Sequence, residues 1–364
     1  MTKRDVVLDA ISFRRPAYVP WSWGPTIPCA ERLKEYLKTD DLTEFLDDHF
    51  LDMSWSLEQM TEVRPGFWRD VFGVVWDRTI DQDIGTPCEW PINEPSDLDR
   101  YQWPDADDPA LYAHVPAMMA AHPDRFSRFM LGFSLFERAW TMRGMENLLV
   151  DMVERPEWVE EFLDRIVEHN LVQVRHALAC GVDAVYFGDD YGMQRGLIMG
   201  GRHWRRLIKP RLARMFKPVR DAGKLACMHS CGCVAELFDD LVEIGLQMFN
   251  PFQPEVMDVF AMMKKYRGRL AFHGGMSIQK TLPFGSVDEV RQMARRLIDA
   301  GSEGGYVFAT SHAVPRDVPP ENLVAMVEVL KEMKNEEEEE GQWRNGRRKR
   351  EEGTGNKEQG TGKD

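Results

Sequence analysis

A short apolar run, Leu225-Ala-Cys-Met-His229, empties into Ser230-Cys231-Gly232-Cys233, a cluster of soft metal ligands. Leu225 to Met228 suit a strand that stops at His229; a glycine turn follows, and an amphipathic helix begins near Val234. In β/α proteins the C-terminal ends of strands line the place where chemistry happens. His229 and Cys231 stand two apart, so a backbone extended through Cys231 points both to the same side. A converging imidazole and thiolate are what a zinc ion or an activated nucleophile requires. His312, just beyond a later strand-like run, would complete three protein ligands and leave one position open, as catalytic zinc does. One zinc per chain would bind a thiol substrate as thiolate and so supply a nucleophile at neutral pH. Cys233 is an alternative third ligand, whereas Cys227 reads as a small buried hydrophobe.

Other strand ends carry chemistry too. Asp189-Asp190 follows the run to Phe187; two adjacent carboxylates can hold NH groups, take a proton or stabilise a developing cation. One of them is expected to cap the turn that follows. Gln253 follows Asn250, and His273 precedes Gly274-Gly275; both are candidate substrate contacts. A histidine so placed can also serve only a backbone carbonyl. Glu137 and Arg138, beyond the run 126–133, are candidates for the pocket wall, and Arg143 reads as a surface ion pair.

These groups need a scaffold that lines up strand ends. Strand-like runs at 18–23, 126–133, 183–187, 225–229, 247–250, 269–273 and 305–309 alternate with helical periodicity at 156–180, 203–222, 235–244, 287–300 and 320–334. Ser286-Val-Asp-Glu289 has the form of a capping box, and Pro319-Pro320-Glu321 puts proline in a first turn. The βαβα rhythm demands a mostly parallel sheet covered by helices. Polar residues gather at many strand ends, and no G-x-G-x-x-G follows an early strand. The expected fold is therefore α/β, a single (β/α)8 TIM barrel over 1–334. Residues 1–125, rich in Trp and Pro, supply the first strand and a decorated cap. Glu336 to Glu340 and Arg347 to Arg350 are charge runs in a segment, 335–364, too poor in apolar residues to fold.

Composition narrows the function. The chain of 364 residues carries a formal charge of −14, which argues against a nucleic-acid surface. Its six cysteines form no regular framework and read as reduced thiols in a cytoplasm. No run of about 18 apolar residues is present to span a membrane. A small-molecule substrate is the expected partner; the oligomeric state is open between monomer and homodimer.

With these residues laid out, the chain resembles the uroporphyrinogen decarboxylase superfamily across residues 3–333. The likeness rests on Arg4-Asp-Val-Val-Leu-Asp-Ala-Ile with Pro20 after it; Asp70-Val-Phe-Gly73; residues 91–103; Asp183-Ala-Val-Tyr-Phe-Gly-Asp-Asp190-Tyr-Gly192; Lys209-Pro210; His229-Ser-Cys-Gly232; Asn250-Pro-Phe-Gln-Pro254; Gly274-Gly275; and Ser311-His312 leading to Pro319-Pro320-Glu321-Asn322. The resemblance implies a (β/α)8 barrel and one of two activities. The first is cofactor-free decarboxylation of uroporphyrinogen III, in porphyrin biosynthesis. The second is zinc-dependent methyl transfer from a corrinoid protein to a thiol, with ligands His-x-Cys and a late Cys. His229 and Cys231 match that pattern; His312 stands near the place of the late Cys, a departure from it.

A departure from the decarboxylase weighs more. The Arg-Gln-Ala-Gly-Arg segment expected after the first strand is replaced here by Pro20-Trp-Ser-Trp-Gly-Pro25, so the arginines that would grip propionate and acetate arms are missing. The favoured expectation is a zinc methyltransferase in which His229, Cys231 and His312 hold the metal, Asp189 or Asp190 handles the proton, and Glu137, Gln253 and His273 meet the substrate. Tetrapyrrole decarboxylation and a non-catalytic corrinoid or tetrapyrrole binder are the alternatives.

Overall fold

The computed structural model describes residues 1–56, 60–81 and 83–336. Seven parallel strands form one sheet in chain order: β1 (Phe50–Met53), β2 (Phe126–Leu131), β3 (Ala184–Gly188), β4 (Leu225–His229), β5 (Met248–Asn250), β6 (Ala271–Met276) and β7 (Tyr306–Thr310). Helices make the crossovers, among them Pro156–Ala179 before β3, Lys209–Asp221 before β4 and Val287–Gly301 before β7. The capping box at Ser286 and Glu289 is formed.

Alternation along the strands sorts side chains onto two faces. Phe126, Ala184, Cys227, Met248, Ala271 and Val307 cluster with Val7 and Ile11 of the helix Lys3–Ile11, which covers the strands' N-terminal ends. The opposite set, including Phe129, Val185, Phe187, Met228, Phe249, Phe272 and Phe308, packs into the larger core beneath the outer helices. A sheet buried on both faces accounts for strands that read as nearly unbroken apolar runs. Arg4 anchors the first helix: its Nε and Nη2 donate to Asp183 at 2.9 and 2.8 Å, and Asp183 also accepts from Ser127 N and Oγ, each at 3.1 Å.

Against the expected closed barrel of eight strands, the described residues form one parallel sheet of seven, with no strand pairing that closes β7 on β1. Residues 18–23 are not a strand. They lie in the seam between β7 and β1 through single contacts: Phe308 N donates to Pro20 O at 2.8 Å, Ser22 N to Phe308 O at 3.0 Å, and His49 N to Trp21 O at 3.2 Å. The proline at position 20 has no N–H to give, which limits the pairing. The true first strand is β1. Between β1 and β2 the Trp/Pro-rich region builds a separate antiparallel sheet of Thr61–Arg64, Phe67–Arg69, Val75–Asp77 and Thr86–Glu89. The last helix begins at 320 and is still helical at 336, the last described residue, past the boundary expected at 334; the rest of the charged segment lies outside the described residues. No helix among the described residues is long and apolar enough to cross a membrane.

Candidate metal centre

Register creates the site. His229 on β4 is level with Asn250 on β5, and Phe249 pairs with Phe272, which sets Asn250 beside His273 on β6. Their side chains form a hydrogen-bonded row. The Ser22 carbonyl can only accept, so His273 Nε2 donates to it at 3.0 Å and His273 Nδ1 is left to accept from Asn250 Nδ2 at 3.1 Å. Asn250 Nδ2 also donates to the His273 carbonyl at 2.9 Å. Asn250 Oδ1 then accepts from Tyr186 OH and from His229 Nδ1, each at 2.7 Å. His229 Nε2 is left bearing a lone pair, 3.3 Å from Cys231 Sγ. The network thus sets the tautomer that metal ligation needs.

His312 completes the group. Its ring meets that of His229 edge-on, with centroids 5.5 Å apart, and one ligand atom each from His229, Cys231 and His312 lies within 4.8 Å of the others. A tetrahedral zinc spaces its donors by about 3.5 Å, so the cluster needs only a small adjustment. Loss of solvent contact at the cavity mouth, then the nearby His229, push the His312 pKa down, which favours the neutral imidazole a metal requires. Burial first, then Asp190 and Glu137, push the Cys231 thiol up. A thiol and two imidazoles with no cation among them form a donor set that matches a zinc dication. Replacing Asn250 by Ala should therefore weaken zinc binding about 10- to 100-fold, read by competition with a chromophoric chelator. Unchanged affinity would show that the row does not orient His229.

The loop carrying Cys231 is held from three sides. Cys231 N donates to Asp190 Oδ1 at 2.7 Å, Gly232 N to Gln253 Oε1 at 3.3 Å, and Cys233 N to Met193 O at 2.8 Å. Gly232, at φ +83°, packs its backbone directly on that of Gly192. Cys233 stands outside the metal group, and Cys227 is fully buried with its thiol pushed up to about 12 by that burial.

The adjacent aspartates separate in role. Asp189 is fully buried; its carboxylate accepts from Phe136 N at 2.9 Å, Glu137 N at 2.7 Å and Tyr191 OH at 2.6 Å. It caps the helix Phe136–Arg143, and burial above all pushes its pKa up to about 7. Asp190 is the one at the cluster, with Oδ1 3.5 Å from His229 Nε2. Glu137 faces both acids; burial first, then the charges of Asp190 and Asp189, hold its pKa well above the carboxylate range. Gln253 and His273 are buried and serve to hold the Cys231 loop and the hydrogen-bonded row. Arg143 is not a surface residue: it is buried against Asp151 at 2.8 Å.

Beside the cluster opens a cavity of about 330 Å3, lined by His229, Asn250, His273 and His312 together with residues that sequence reasoning did not single out. Asp52 pairs bidentately with Arg128 at 2.7 and 2.6 Å, and the guanidinium lies 4.1 and 4.7 Å from the Phe50 and Tyr186 ring centroids. Asp48, also on the wall, is pushed up to about 6 by burial, then by the charge of Asp52. A carboxyl with a raised folded pKa adds most stability below its unfolded pKa and loses it as pH climbs to the folded value. Asp48→Asn should flatten the stability curve between about pH 4 and 6 by up to about 3 kcal/mol. Chemical denaturation across that range checks it; an unchanged slope would reassign the titration.

With this geometry in place, the chain can be set beside known proteins. The sequence model described as "Uroporphyrinogen decarboxylase (URO-D)" matches residues 78–333, well over half of the chain. The chain belongs to the URO-D family. Two curated relatives are both uroporphyrinogen decarboxylases. The one from Syntrophotalea carbinolica is 23% identical over 184 residues, 49% of this chain and 50% of its own length. That from Methylococcus capsulatus is 21% identical over 257 residues, 66% of this chain and 70% of its own. The chain thus spans half the length of the first and 70% of the second. Among solved structures, a methyltransferase from Methanosarcina mazei superposes with a TM-score of 0.71 at 16% identity, covering 91% of this chain and 99% of that one. At that identity the likeness establishes a shared fold. This URO-D family member therefore has a decarboxylase-named sequence kinship and a methyltransferase among its structural neighbours.

Proposed function

We propose that this URO-D family member is a zinc-dependent methyltransferase that passes a methyl group from a corrinoid protein or a methylated small molecule to a thiol. The observation that carries the reading is the convergence of His229 Nε2, Cys231 Sγ and a His312 nitrogen beside the 330 Å3 cavity, whose wall includes both histidines. Bound zinc would lower the pKa of an acceptor thiol enough for its thiolate to exist at neutral pH. The protein's own groups do the rest. Asn250 and His273 keep the His229 lone pair aimed at the cluster, and Asp190, beside it, takes the proton the thiol gives up. Sulfur forms the new bond to the methyl carbon, and the donor keeps the electron pair of the bond that breaks. The cavity sits near the small end of ligand sites, about 300–1,000 Å3, which suits a compact thiol.

Decarboxylation of uroporphyrinogen fits less well. Among the described residues Arg128 is the sole arginine on the cavity wall, and it is already engaged by Asp52, with Asp48 close by. An octa-anionic substrate would face acids where it needs cations. The test is elemental analysis joined to an assay of methyl transfer from methylcobalamin to a small thiol. About one zinc per chain is expected, with activity lost on chelation and regained on adding zinc. Full activity in metal-free protein, or conversion of uroporphyrinogen to coproporphyrinogen, would overturn the reading.

A further inference from the structure

A second cavity, of about 240 Å3, lies between the antiparallel sheet and the segment after β2, and shares no lining residue with the first. Four aromatic side chains, Trp55, Phe72, Trp76 and Phe133, wall it. Two polar side chains on that wall are left with unused hydrogen-bonding capacity. Gln173 is 5% exposed and its amide has no hydrogen-bond partner among the described residues. Arg138 is 9% exposed, and among the described residues its guanidinium makes a single hydrogen bond, from Nη1 to Asp70 Oδ2 at 3.3 Å. A guanidinium carries five donors, and a primary amide two donors and an acceptor.

Asp70 does not use up this arginine. Its Oδ1 accepts from Phe72 N at 3.0 Å and Val74 N at 2.9 Å, and its Oδ2 from Trp76 Nε1 at 3.1 Å, so its charge is supported without the ion pair. Arg128 shows the contrast: both of its arms close on Asp52. Phe72 lies 3.8 Å from the Arg138 guanidinium carbon and covers a face of the group, which leaves its edge, where the donors are, free to meet a planar anion. Phe133 on the same wall holds φ at +50°, a conformation that a bulky residue keeps only where its surroundings enforce it.

We propose that this cavity binds a small organic acid, its carboxylate on Arg138 and Gln173 and its flat apolar body among the four rings. The inference stands apart from the metal centre. A volume below that of drug-sized pockets limits the occupant to roughly one ring. Benzoate is the probe, followed by saturation-transfer NMR and calorimetry on the full chain, with benzyl alcohol as the neutral isostere. Saturable benzoate binding is expected, with benzyl alcohol at least about tenfold weaker because it forfeits the charge-assisted pair. Arg138→Met should weaken benzoate at least about tenfold, and Gln173→Leu, which leaves the Asp70–Arg138 pair intact, by several-fold. Cys231→Ala should leave it unchanged, since a benzoate held by metal would be lost there. No saturable binding, equal affinity for benzyl alcohol, indifference to Gln173→Leu, or loss in Cys231→Ala would each overturn the proposal. The comparison of the two probes on unaltered protein stands even if the arginine variant does not fold.

Discussion

Cys231→Ala is expected to drop zinc from about one ion per chain to under about 0.1 after dialysis against a chelator, and to cut methyl transfer by about 1,000-fold or more. The sulfur is the single anionic ligand of the cluster, and a ligand set reduced to two neutral imidazoles holds zinc far less tightly. The fold should survive the change. The side chain is partly exposed and sits at a loop, and the amide that docks this loop on Asp190 belongs to the backbone, which alanine retains. Circular dichroism and a Tm within a few degrees of the parent would separate loss of metal from loss of structure. Zinc retained at full occupancy would remove Cys231 from the ligand set.

A second large effect is expected from Gly232→Ala. A Cβ at this position would lie 2.3 Å from the carbonyl carbon of Gly192 and 2.7 Å from its Cα, and backbone cannot yield as a flexible side chain can. The positive φ adds about 1–2 kcal/mol for an L-residue. Together these should cost about 3–5 kcal/mol, or swing the Cys231 loop away from Asp190 and Gln253 and release the metal. Gly223→Ala is the control: its φ of +69° is similar, but nothing lies within 4 Å of the added carbon. Thermal denaturation and zinc content on the two variants separate strain from collision. Equal, small losses in both would mean that the contact between residues 192 and 232 does not hold the site.

The grouping of the three candidate ligands was legible because soft ligands at the end of an apolar run are rare and chemically specific. His229 and Cys231 announced themselves by spacing, and His312 by its place just after β7. The orientation of His229 was not legible. Asn250 sits at a strand end before proline, where asparagine has many uses, and its link to His229 and His273 arises from register across three strands. Spacing along one chain carries no record of that register. β1 escaped for a related reason: Asp52 interrupts its four residues, and the partner that lets a charge face the cavity, Arg128, lies 76 positions away. An arginine inside the mostly apolar run of β2 was the available signal. Arg143 fits the pattern of a surface ion pair because helical spacing reports which groups meet, not how deep they lie.

The row that ends at His229 begins at Ser22, in the seam outside the regular strands, and passes through β6 and β5 on the way. Its members are scattered over more than 250 positions. A short His-x-Cys insert transplanted into an unrelated barrel would bring the donor atoms but neither the amide nor the backbone carbonyl that dictate where the ring hydrogen sits. Portability of this centre is therefore a property of the whole sheet, and redesign elsewhere must rebuild the neighbouring strands before it places the first ligand.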